Sequence, residues 1–204
     1  MYRPLASDAT TGRKRSPEAY GAILETTQAL LEEIGFERLT IEGVAARAGV
    51  GKATIYRWWP SKGTLAVEAF LTAVAPTTAF TMGDSASGDL RALCRRLART
   101  YNGKMGKIVR EIIGSGQFDS ETMRLFEEGY LKPRRAAAKQ VLQRGIAQGE
   151  FRSDTDLDVV VDALYAPIFH RLLLGHASNN EQFLRSLLDL VLSGILPKVE
   201  KPPG

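Results

Sequence analysis

Between positions 52 and 58 the sequence sets Lys52, Ala53, Thr54, Tyr56, Arg57 and Trp58 around a short turn of helix. Ile55 and Trp59, four apart, suit the inner side of that helix, which leaves the ammonium, hydroxyl, phenol, guanidinium and indole groups on its outer side. Tyr and Trp exposed on a short basic helix waste apolar surface unless a partner covers them. From Arg47 through Lys62 the basic residues are Arg47, Lys52, Arg57 and Lys62, with no acid among them, which is the footprint expected of phosphate contact. The net charge of +4 (27 basic, 23 acidic) adds little, because an ordinary solvated face can carry the same charges.

The elements that must position these groups are helices, for the chain shows no strand-like alternation. Ser16-Pro17-Glu18 starts a helix that runs to about Ile34 and ends at Gly35. Thr40 caps a second helix with Ile41, Val44, Ala45 and Ala48 inward, and Gly49 breaks it. A third covers about Lys52–Trp58, and Pro60-Ser61 begins a fourth carrying Leu65, Val67, Phe70, Leu71 and Val74. A helix-turn-helix needs small residues where two helices touch and a glycine in the turn, and Ala45, Ala48 and Gly49 meet that need, with Val50 plugging the joint. A small hairpin with aromatic core residues is the alternative that these residues leave open.

Further along, helices are expected at about Asp89–Tyr101, Lys104–Ile113, Asp119–Gln148 (divided at Pro133), Thr155–Leu173 (kinked at Pro167) and Glu181–Ile195. The last two carry more apolar surface than one buried face requires. The fold class is all-α. Residues 1–15 read as a flexible basic arm, 16–74 as the helix-turn-helix domain, 75–197 as a second helical domain and 198–204 as a disordered tail.

Other chemistry is poorly supported. The chain has no G-x-S-x-G, phosphate loop, dinucleotide glycine fingerprint or metal-binding spacing, so neither an enzyme nor a cofactor is expected. His170 and His176 are six apart, which does not place both on one helix face. The single cysteine, Cys94, excludes an intrachain disulfide and reads as inert packing. Arg134 and Arg135 read as surface charges. No apolar run is long enough for a membrane span, and the N-terminus lacks the apolar stretch of a signal peptide, so a cytoplasmic location is expected.

The stretch TIEGVAARAGVGKATIYRWWPSKGTL resembles the N-terminal domain of the tetracycline-repressor (TetR) family, through Thr40, Val44-Ala45, Ala48-Gly49-Val50, Tyr56, Trp58-Trp59, Lys62 and Leu65. Gly51 and Ala53 depart from the residues common there, and Gly51 gives up a hydroxyl. The resemblance implies that Thr40 bonds a phosphate, that Lys52, Thr54 and Arg57 face base edges, and that Tyr56, Trp58 and Lys62 hold the sugar-phosphate backbone. Arg13, Lys14 and Arg15 would follow the backbone or enter a minor groove.

The resemblance further implies a dimeric repressor, released from a palindromic double-stranded operator by an apolar or amphipathic small molecule. An activator, or an adaptor that keeps the fold without binding DNA, is the alternative. Candidate effector-lining residues are Cys94, Tyr101, Met105, Val109, Phe118, Met123, Phe126, Tyr130 and Tyr165. The expected homodimer interface is Leu164, Ile168, Leu172, Leu184, Leu188 and Val191.

Overall fold

A computed structural model describes residues 16–75 and 81–197, so the basic arm with Arg13, Lys14 and Arg15, and the C-terminal tail, lie outside the described residues. The helices are α1 (Pro17–Arg38), α2 (Ile41–Ala48), α3 (Lys52–Tyr56), α4 (Lys62–Val74), α5 (Ala86–Asn102), α6 (Lys104–Gly116), α7 (Ser120–Phe126), α8 (Lys132–Ala147), α9 (Leu157–Leu174) and α10 (Glu181–Ser193). Among the described residues there is no strand.

Side chains at the helix starts fix these boundaries. Ser16, Thr40, Ser61, Ser85, Asp119, Asp156 and Asn180 each accept a backbone N–H in the first turn that follows, satisfying a donor the helix cannot. Ser61 and Thr64 form a reciprocal capping box at the start of α4. Gly35 sits at φ 79°, ψ 172°, so the regular part of α1 ends there and Phe36–Arg38 form a separate turn.

The chain divides into two compact units. The first contains α1–α4, α6 and α7. Although the sequence reading assigns residues 104–131 to the C-terminal domain, α6 and α7 pack on α1 and α4. α4 is its central strut: every residue from Gly63 to Leu71 is buried. Phe70 of α4 meets Phe126 and Tyr130 at centroid distances of 6.0 and 4.9 Å. Gly63 permits the approach of α7, since a Cβ there would lie 2.0 Å from Thr122 Oγ1.

Between α7 and α8, Glu127–Leu131 form a π-helical turn. Pro133 explains it: proline has no N–H for the Gly129 carbonyl and its ring would strike that carbonyl, so the chain widens by one residue before helix resumes. Pro167, in contrast, is carried inside a continuous α9.

The second unit contains α5, α8, α9 and α10. Its core includes Leu90, Cys94, Val141, Leu142, Val161, Leu164, Ile168, Leu184 and Leu188. Five of the six residues expected at the homodimer interface are instead buried inside this unit. Leu164, Ile168, Leu172, Leu184 and Leu188 are 0–8% exposed within one chain and have no surface to offer a partner. Val191 is half-buried. The outward apolar residues are others: Val159 at 63%, Leu173 at 38% and Leu174 at 65% on α9, and Leu190 at 74% on α10.

Candidate nucleic-acid interface

The helix-turn-helix is built as its sequence requires. Gly49 adopts φ 67° at the end of α2, and the N–H groups of Gly49 and Val50 both donate to the Ala45 carbonyl, so the chain turns sharply into α3. Ile55 and Trp59 are buried and tie α3 to α1 and α4. The Trp59 indole N–H donates to Glu68 Oε2 at 2.6 Å, and the Tyr20 hydroxyl donates to the other oxygen of that buried carboxylate. Tyr20 stacks on Trp59 (centroids 5.1 Å) and meets Trp58 edge-on (5.6 Å). Nothing in the sequence pointed to Tyr20 or Glu68, because their partners lie far along the chain.

Fixing Ile55 and Trp59 inward turns the expected face outward. Thr40, Lys52, Ala53, Tyr56 and Arg57 are exposed, whereas Thr54 and Trp58 are half-buried. Tyr56 is 52% exposed. Among the described residues Arg57 makes only a long contact to Thr54 Oγ1 at 3.5 Å, which leaves its planar fork available to an added partner. Lys52 pairs with Glu42 at 3.1 Å, with both side chains more than half exposed, a bond weak enough to be exchanged for another anion. The Glu42 carboxyl is held below its ordinary value by its own backbone N–H and then by Lys52. Arg47 is engaged more firmly, in a two-pronged pair with Glu33 at 2.5 and 2.7 Å that lowers the Glu33 pKa.

Lys62 stands differently from its expected role. Its Nζ donates to the carbonyls of Phe36 (3.1 Å) and Glu37 (3.3 Å) and lies 4.6 Å from the centre of the Phe36 ring. It therefore fastens the last turn of α1 to the start of α4. The same turn is held from the other side, where the Phe36 N–H donates to Glu111 Oε2 of α6 at 2.6 Å.

The candidate effector-lining residues are divided between the units. In the first, Val109, Phe126 and Tyr130 are buried and Met105 and Met123 half-buried. Phe118, expected among them, is instead 95% exposed in the loop between α6 and α7. In the second, Cys94 and Tyr101 are buried and Tyr165 is half-buried. Burial pushes the Cys94 thiol up to about 12, which keeps it protonated and unreactive.

A family model described as bacterial regulatory proteins of the tetR family matches residues 23–69, and one described as the tetracyclin repressor-like C-terminal domain matches residues 83–191. The chain belongs to the TetR family. It is 34% identical over 184 residues to the HTH-type transcriptional regulator YdeS of Bacillus subtilis, covering 90% of this chain and 93% of that one. The DNA-binding transcriptional repressor TetR of Mycobacteroides abscessus is 27% identical over 173 residues, 84% of this chain and 90% of the relative. Among solved structures, the TetR family transcription regulator SCO0332 superposes with a TM-score of 0.74 at 34% identity, over 88% of this chain and 100% of that one. This TetR-family chain is thus a DNA-binding transcriptional regulator. Among the described residues no helix is long and apolar enough to cross a membrane.

Proposed function

We propose that the protein is a homodimeric repressor that holds a palindromic operator through two α3 helices and releases it when a small molecule binds. The observation that carries the reading is the outward face of α3: Lys52, Ala53, Thr54, Tyr56 and Arg57 turned away from a core that anchors Ile55 and Trp59. Arg57 takes a guanine edge through its two-pronged fork, Lys52 and Thr54 take neighbouring base edges, and Thr40, Tyr56 and Trp58 set the register on the phosphates. Lys62 supports this face from behind.

The second copy docks on the outward faces of α9 and α10, through Val159, Ala166, Leu173, Leu190 and Val191. Leu173 at 38% and Leu190 at 74%, on helices packed against each other, are apolar surface that an isolated chain would be expected to cover. Two heads joined this way read half-sites about 34–36 Å apart, one helical turn of DNA. The effector is an apolar or amphipathic molecule received between the helices of the C-terminal region. A repressor among the relatives supports the sign of regulation.

The test is selection of bound fragments from random DNA, followed by binding of the recovered operator by Arg57→Ala. The parent should recover a palindrome, and Arg57→Ala should lose about 1–3 kcal/mol of preference at one base pair in each half-site. Recovery of no palindrome, or an Arg57→Ala variant with the parent's preference, would overturn the reading.

A further inference from the structure

His170 and His176 are the only two histidines in the sequence. Their separation suggests two unrelated positions, but the end of α9 brings them together. His170 directly precedes the last turn of the helix, and Gly175 closes it in the left-handed conformation (φ 64°), its N–H donating to the Arg171 carbonyl at 2.9 Å. The chain doubles back at that cap, and the very next side chain, His176, meets His170 with ring centroids 5.1 Å apart and planes 62° apart. Both rings are exposed. Their mutual contact is the only interaction that either makes among the described residues, so all four ring nitrogens are uncommitted. The nearest cation in sequence, Arg171, is turned away, donating to the Ser178 carbonyl at 2.7 Å and lying 3.4 Å over the Phe183 ring.

We propose that His170 and His176 chelate a borderline divalent transition-metal ion, of which Zn2+ is the representative. Zinc sits about 2.0–2.1 Å from an imidazole nitrogen, and the ring centre lies about 1.1 Å beyond it, so two rings at adjacent tetrahedral positions have centres about 5 Å apart. The observed 5.1 Å matches that spacing, and rotation of each exposed ring about its side-chain bonds turns one nitrogen toward the shared ion. Imidazole nitrogens suit zinc, nickel and copper, whereas calcium and magnesium need oxygen donors. Water completes the coordination. Because one ligand stands on a helix and the other directly follows its cap, little chain entropy is lost on closing the chelate. The site needs one chain only, and it lies at the end of the α9 face that includes Ala166 and Leu173.

The imidazole resonances of the untagged full chain test this directly, since only two rings contribute. On titration with zinc chloride both should shift together and saturate at one ion per chain, while calcium chloride should leave them unmoved. His170→Ala and His176→Ala should each weaken zinc binding by about tenfold or more, because each removes half of the protein's ligands. His176 lies outside the helix, so its variant should keep the parent's circular dichroism and separate loss of a ligand from loss of folding. Resonances unchanged by excess zinc, a response from one ring alone, or a His176→Ala variant that binds as the parent does would show that the rings merely stack.

Discussion

Replacing Lys62 by alanine separates two roles for one ammonium group. As a phosphate ligand it would contribute to DNA affinity and nothing to the free head. The structure instead commits it to the Phe36 and Glu37 carbonyls at 3.1 and 3.3 Å, with the Phe36 ring beneath at 4.6 Å. Hydrogen bonds from a charged donor contribute about 1.5–3 kcal/mol each when well buried, and an exposed cation–ring contact about 0.5–1 kcal/mol. Lys62 is half-buried, so solvent screening reduces the sum to about 2 kcal/mol. In a chain of this length each kcal/mol moves the thermal midpoint by about 2–4 °C, which gives a fall of about 4–8 °C.

The second reading comes from the salt dependence of operator binding, measured by fluorescence anisotropy. Losing one phosphate contact from each of two heads would flatten the slope by about 1.8, whereas a lysine held by α1 should change it by less than half of that. Lys62→Met keeps the stem over Phe36 and removes only the N–H donors, so it should reproduce most of the destabilisation. An unchanged midpoint together with a slope flattened by nearly the full phosphate value would refute the assignment.

Two further substitutions probe the α4–α7 join. Gly63→Ala places a Cβ 2.0 Å from the buried Thr122 hydroxyl, so overpacking of about 1–3 kcal/mol should outweigh the better helix propensity of alanine, and adding Thr122→Ala should restore part of the loss; a raised thermal midpoint in the single variant would show that the helices are not in close contact. Asp119 accepts from the Thr122 hydroxyl at 2.6 Å, from the Glu121 and Thr122 N–H groups and from Ser61, and these bonds, Thr122 foremost, lower its pKa below the ordinary 3.8. The ionised form therefore stabilises the fold, fully above the unfolded value and decreasingly as pH falls through the folded one. Asp119→Ala should cost about 0.5–2 kcal/mol at pH 7, and denaturant titrations should show the gap closing below about pH 4; a gap independent of pH would remove the charge from the argument.

What was legible in the sequence is what local chemistry decides. Ser16 and Thr40 cap the helices they were expected to cap, because a side-chain oxygen reaches only the next turn. The small residues and glycine of the α2–α3 joint, with Ile55 and Trp59 inward, were legible because a tight turn tolerates few residue types. The outward face of α3 followed by subtraction.

The illegible parts depend on which surface meets which. α9 is apolar nearly all round, so its periodicity could not say whether Leu164 and Ile168 or Val159 and Leu173 point inward, and burial within one chain settles that Leu164 and Ile168 do. The contacts of Lys62 were silent because the carbonyls that hold it lie 25 and 26 residues away. Glu111 and Tyr20 were silent for the same reason. The two histidines do not share a helix face, as their six-residue spacing implied, but Gly175 ends the helix between them and the turn brings their rings together. Reading the cap first, and the spacing across it second, would have brought those rings together from sequence.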